Sequence, residues 1–285
     1  MIFDLNISPT VLALAGLVFG SIIGSFLNVV ILRLPMILQA EWGRESRSFL
    51  GLDPVPEEPI SLSKPRSRCP SCGTMIKAIH NIPILSYCFL RGRCNACSNP
   101  ISMQYPLVEL GTGLLTALLL SAYGLTLQTC LSLIFSYALI ALAVIDGREK
   151  ILPDQITLPL LWLGLILNLN GFYVGIEEAV IGAILGYMPL WLLFWIFKWL
   201  TGKEGMGYGD FKLSAAIGAW LGWKMVPVVI LIASVLGTIV GCCAIIFAGR
   251  DRNIPLAFGP YLCVSGWIAM HWGDNALSLM QYLSF

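Results

Sequence analysis

Charge is what this sequence has least of. Only 12% of its 285 residues are charged and 57% are hydrophobic, whereas a soluble domain carries about a quarter charged residues. A soluble fold is therefore excluded, and the chain reads as an integral membrane protein. A net charge of +1 by itself says nothing about partners, and no nucleic-acid partner is expected. The two histidines, His80 and His271, stand alone without partner motifs and receive no role. There is no internal repeat, no low-complexity tract, and no glycine fingerprint between a strand and a helix of the kind that cradles a dinucleotide. The first apolar run has no basic segment before it and ends in Arg33 rather than at a small-residue cleavage site, so it reads as a retained span and not as a signal peptide.

Eight apolar runs are present, at 9–32, 106–123, 128–146, 155–170, 177–199, 211–223, 225–248 and 255–272. A span needs roughly 20 residues, so the fourth and sixth are short. Sixteen of the seventeen Lys and Arg fall on one side of this arrangement, leaving Lys224 opposite. The positive-inside rule puts that side in the cytoplasm and both termini outside. The expected fold is an all-α polytopic membrane protein of about eight transmembrane helices, with one sizeable cytoplasmic insertion between helices 1 and 2. The expected organisation is a first helix at 1–32, a cytoplasmic zinc-binding domain at 33–105, and a membrane domain of about seven helices at 106–285. The Pro-rich stretch 40–66 reads as a poorly ordered connector.

Within the insertion, CPSC at 69–72 and CNAC at 94–97 are separated by 21 residues. Paired CxxC knuckles let four thiolates complete a tetrahedral zinc site, and a cytoplasmic setting disfavours stable disulfides. Cys69, Cys72, Cys94 and Cys97 are the predicted metal ligands. Four cysteines leave no open position for water, so the zinc is structural. Cys88, Cys130, Cys242, Cys243 and Cys263 read as small core residues.

Asp146 ends the third run and Asp210 begins the sixth, 64 residues later. Ionisable groups at membrane depth are costly and usually functional, and the predicted topology brings both to the cytoplasmic edge. Neighbouring carboxyl groups there share one proton, since like charges a few Å apart do not both ionise easily. The ionised member takes a proton from water and the other donates to a peptide carbonyl. Gly205, Gly207 and Gly209 precede Asp210 and read as room for a close backbone approach, with the helix dipole favouring the ionised acid. Asp154 reads as a helix cap. Asn28 and Glu109 read as hydrogen-bonding groups between helices.

GMGYGDFKL, LPDQITLPLLWLG, GSFLNVVILRLP, SRCPSCG, NIPILSY, RGRCNAC and YPLVELGTG together resemble the bacterial type IV prepilin peptidases, GxGD-type aspartic membrane proteases that are bifunctional leader peptidases and N-methyltransferases. The resemblance runs from the first span to FGPYL at 258–262. It implies that Asp146, the first Asp of IDxxxxxLPD, and Asp210, the Asp of GxGD, are catalytic. It implies cleavage after Gly of the basic leader of prepilins or pseudopilins, then methylation of the new N-terminal amine from S-adenosylmethionine, at the cytoplasmic face of the bacterial inner membrane. The family often has a further Asp where this chain has Arg148. A peptidase without methylation is the nearest alternative, although such relatives usually lack the cysteines. A zinc-ribbon transporter or assembly scaffold is the other, and a transporter places its polar breaks near the bilayer midplane.

Overall fold

The computed structural model describes residues 8–53, 60–76, 79, 82–203, 205–249 and 256–283, and the side chains of 248 and 274–283 are not described. His80, Lys77, Arg250, Arg252 and the central part of the connector lie outside the described residues. The described chain is helical: α1 Pro9–Phe49, α2 Leu85–Phe89, α3 Gln104–Tyr123, α4 Leu127–Glu149, α5 Asp154–Asn168, α6 Ile176–Thr201, α7 Tyr208–Leu221, α8 Met225–Ala248 and α9 Gly259–Leu283. α1, α3, α4, α6 and α8 are long and apolar enough to cross a membrane, which makes this a multi-pass membrane protein. The chain forms two units, Met1–Tyr137 and Ala138–Phe285.

In the first unit, α1 does not stop at residue 32. It continues to Phe49, 41 residues in all, or about 62 Å at 1.5 Å per residue, twice the hydrocarbon thickness. The first part of the expected connector is therefore helical. Leu, Met, Gln, Glu and Arg through 36–47 are good helix formers, and Pro35 does not break the run. Gly16, Gly20 and Gly24 lie one turn apart on the face of α1 that meets α3. A Cβ on Gly16 would stand 3.0 Å from the Ala117 backbone, and one on Gly24 would stand 2.7 Å from Glu109 Cα. Small residues at this spacing let membrane helices approach closely. The opposite face, with Val11, Leu14, Val18 and Ile22, is exposed, as suits a lipid-facing surface.

The second unit is built around α7, whose residues from Asp210 to Leu221 are nearly all buried. Ala215, Ala216, Gly218 and Ala219 let neighbours close in on it. Gly218 lies against the Gly182 carbonyl of α6, and Gly164 of α5 lies against the Trp220 ring. Trp220 Nε1 donates to the Leu160 carbonyl at 2.8 Å, and Asn168 Nδ2 donates to the Ala219 and Trp220 carbonyls at 2.9 and 3.2 Å. Asn168 Oδ1 in turn accepts from the Tyr173 and Val174 N–H groups. This single amide satisfies backbone groups that the end of α7 leaves unpaired. α8, by contrast, leaves Leu231, Val235, Ile239 and Ile246 exposed.

Two smaller expectations are corrected. Of the five cysteines outside the paired motifs only Cys263 is buried; Cys88, Cys130, Cys242 and Cys243 are exposed, since an apolar run in a membrane protein has a lipid-facing side as well as a core. Asp154 is not a side-chain cap: Pro153 occupies that position and Asp154 is the first helical residue. It pairs instead with Lys212 at 2.7 Å.

Candidate functional site

Asp146 stands in the last turn of α4 and Asp210 in the first turn of α7. Each is under 10% exposed, at 6% and 7%. The fold of the second unit brings them within electrostatic reach of each other, and the buried Cys263 thiol lies within reach of both. Asp210 Oδ2 accepts from the Gly207 N–H at 3.3 Å, so the carboxylate folds back over the start of its own helix. Asp146 meets the backbone N–H of Gly259, the first residue of α9. Its Oδ2 makes no hydrogen bond, and a buried oxygen without a partner calls for an explanation.

The glycines around the pair have separate reasons. A Cβ on Gly259 would stand 2.5 Å from Asp146 Oδ2, and one on Gly209 would stand 2.6 Å from Leu152 Cβ. Leu152 also faces Gly259, at 3.2 Å from the same kind of added atom. Gly205 is pressed by the Phe197 ring, while Gly207 has no such neighbour closer than Asp210 Oδ2 at 3.6 Å. Neither Gly207 nor Gly209 has a positive φ. Two of the three glycines before Asp210 are small because this chain's own side chains press on them, which differs from the expectation of open room. Gly259 and Leu152 were not singled out from the sequence, and Cys263 only as a small core residue. The Gly-Pro step that starts α9 is the one local signal that marks Gly259.

The four predicted thiols come together in the first unit. Each offers an Sγ, and all four lie within 4.8 Å of one another, with Cys69 and Cys97 at 3.8 Å. A tetrahedral ion with Zn–S bonds of 2.3 Å needs edges of about 3.8 Å, so these residues fit zinc. The two knuckles repeat one geometry. The Gly73 N–H donates to the Cys69 carbonyl and the Ser98 N–H to the Cys94 carbonyl, each at 2.9 Å. Gly73 and Ser98 both have positive φ, at 69° and 59°. Arg68 pairs with Met75, and Arg93 with Pro100, as antiparallel bridges.

Backbone N–H groups of Cys72 and Ser71 hold the Cys69 thiol below its usual pKa, and those of Ala96 and Cys97 do the same for Cys94. The Thr74 hydroxyl lowers Cys72. The Asn99 N–H favours the Cys97 thiolate, but burial and the neighbouring thiols outweigh it and push Cys97 up to about 12. A dication among the four would reverse that crowding. Arg33 of α1 holds the approach to the first knuckle, donating to the carbonyls of Ser61, Leu62 and Pro65 at 3.0, 3.1 and 2.6 Å.

Two family models match the chain: the bacterial peptidase A24 N-terminal domain over residues 18–123 and the type IV leader peptidase family over 133–242. Among curated proteins, the chain is 52% identical to a prepilin leader peptidase/N-methyltransferase of Aeromonas hydrophila, over 90% of this chain and 89% of that one. It is 46% identical to the one of Pseudomonas putida, over 99% and 98%, and 46% identical to the one of Neisseria gonorrhoeae, over 95% and 94%. No solved structure matches. The chain belongs to the type IV leader peptidase family.

Proposed function

We propose that this protein cleaves the basic leader of type IV prepilins and pseudopilins after Gly and then N-methylates the new N-terminal residue. Relatives of nearly the same length, named prepilin leader peptidase/N-methyltransferase, support both activities. The observation that carries the cleavage mechanism is the meeting of two buried carboxylates, Asp146 and Asp210, from helices far apart in sequence. Buried neighbouring carboxyls hold one proton between them and titrate as a pair. A water between them loses a proton to the ionised member and attacks the scissile carbonyl, while the protonated member donates to the carbonyl oxygen. The unpartnered Oδ2 of Asp146 is an acceptor available to that water.

An eight-span topology, supported by the charge pattern, would have this pair at the cytoplasmic face of the bacterial inner membrane with both termini periplasmic. Here α5 and α7, too short to cross alone, pack on each other and on α6. Residues 33–105 form the zinc-binding insertion after the first span, and the helices from 106 onward form the membrane part. Cys69, Cys72, Cys94 and Cys97 hold zinc in a closed four-thiolate site; its role is to fix the two knuckles, and no hydrolytic step runs through it. S-adenosylmethionine is the methyl donor.

The test is processing of a prepilin by membranes carrying Asp146→Asn or Asp210→Asn. Each variant is expected to lose cleavage by about 10³-fold or more while keeping wild-type zinc content. Full processing by either would remove that residue from the mechanism.

A further inference from the structure

The first unit holds another buried carboxylate, and peptide cleavage by the aspartate pair gives it no part. Glu109 on α3 is 8% exposed. Its Oε2 accepts from the Ile84 N–H at 2.8 Å, and the Ser25 hydroxyl of α1 lies near the same carboxylate. Asn28, 3% exposed, donates through Nδ2 to the Tyr105 carbonyl at 3.1 Å, yet its Oδ1 has no hydrogen bond. Ser25 and Asn28 are three residues apart on α1, and Tyr105 and Glu109 four apart on α3. Each pair therefore shares a helix face. The close approach of Gly24 to Glu109 brings those faces together. An unsatisfied carbonyl oxygen thus lies on the same helix–helix seam, about one turn from a carboxylate that, among the described residues, has no cation paired with it.

Two acceptors one turn apart on a buried seam suit a primary ammonium, which carries three N–H donors. The segment over Glu109 is also under strain. Ile84, a β-branched residue, has φ 60° and ψ −51°, a backbone conformation such residues rarely adopt. Strain of this kind collects where a segment must move or be held for function. Ile84 leads directly into α2 and the second knuckle, so the same segment joins the carboxylate to the thiol cluster.

We propose that Glu109 and Asn28 hold the N-terminal ammonium freed by leader cleavage, and that Glu109 takes a proton from it for methyl transfer. This rests on the methyltransferase activity proposed above. The ammonium displaces the Ile84 N–H from Oε2 and donates to Asn28 Oδ1. Passing one proton to Glu109 leaves a neutral amine with a free lone pair. That lone pair forms the N–C bond to the donor's methyl group as the C–S bond breaks, its electron pair staying on sulfur. The product is a secondary ammonium, and the Glu109 proton leaves to solvent.

The full-length protein in detergent, given a prepilin and S-adenosylmethionine, tests this by mass spectrometry of the product N-terminus. Glu109→Gln retains an oxygen for the Ile84 N–H, so a merely structural carboxylate would be rescued by it. The expected result is cleavage within about twofold of wild type and methylation slower by about 100-fold or more. Methylation by Glu109→Gln at near the wild-type rate, in protein that cleaves normally, overturns the proposal.

A second measurement needs no variant. A synthetic peptide of the mature pilin N-terminus, with a free amine and a photoreactive first side chain, is expected to crosslink wild-type protein at residues 25–28, 84 or 105–109. The N-acetylated peptide is expected not to. Crosslinks elsewhere, or equal labelling by both peptides, overturn the proposal even if Glu109→Gln misfolds. Wild-type protein that cleaves but never methylates would instead sink the methyltransferase reading itself.

Discussion

Gly259 stands so close to Asp146 that the smallest side chain would touch the carboxylate, with an added Cβ only 2.5 Å from Oδ2. The start of α9 is thus part of the wall that fixes one member of the aspartate pair. Gly259→Ala is expected to turn Asp146 away from Asp210 and slow prepilin cleavage by about tenfold or more, since small misplacements of reacting groups are costly. Zinc content and thermal stability should change little. Cleavage at the wild-type rate would mean that the Asp146 side chain adjusts freely.

The glycines of GYGD make a contrasting pair. A Cβ added at Gly209 would stand 2.6 Å from Leu152 Cβ, whereas Gly207 has ordinary clearance and backbone angles of φ −81° and ψ 147° open to any residue. Gly209→Ala should impair cleavage strongly and Gly207→Ala weakly. Adding Leu152→Gly, which removes that Cβ, to Gly209→Ala should restore part of the loss, a non-additive response expected of residues in contact. Additive losses in that double variant would refute the steric account.

Metal content gives a third prediction. Purified protein is expected to carry one zinc per chain by elemental analysis, and Cys69→Ser together with Cys97→Ser should abolish it. Because the ligands must be thiolates, acid competes with the metal. The three thiols held below their usual pKa favour binding, and zinc should be retained near neutral pH and released as pH falls. Retention of zinc in the double variant would exclude these cysteines as its ligands.

At the contact of α6 with α7, Gly218 touches the Gly182 carbonyl, a backbone atom that has no rotamer to change. Gly218→Ala is expected to cost about 1–3 kcal/mol, as for overpacked cores. A lowered unfolding temperature in detergent would register it. An unchanged melting temperature would show that α6 shifts without penalty.

Much of this was legible in the sequence because it was written in spacing. The paired CxxC motifs foretold a four-thiol cluster, and the apolar runs foretold helices whose bounds mostly fall within a few residues of those found. The ends of α1 and α9 were not legible. Hydropathy falls after residue 32 while helix propensity does not, so a pattern of apolarity ends where the helix continues. The orphaned oxygen of Asn28, the pressure of Leu152 on Gly209 and the place of Gly259 beside Asp146 arise from packing between distant segments. No single-segment pattern encodes them. The glycines before Asp210 were noticed for their freedom, and most of their use turned out to be their small size.

The way α7 ends carries a consequence for how the protein is made. Its 14 residues span about 21 Å, and its last carbonyls depend on Asn168 of α5. A helix so short and so rich in alanine has little reason to enter lipid by itself. It is held by its neighbours, and Asp210 comes into place with it. A nascent chain halted before α5, α6 and α7 have docked therefore has no assembled aspartate pair. On the proposed mechanism, proteolytic competence would then await docking of these three helices.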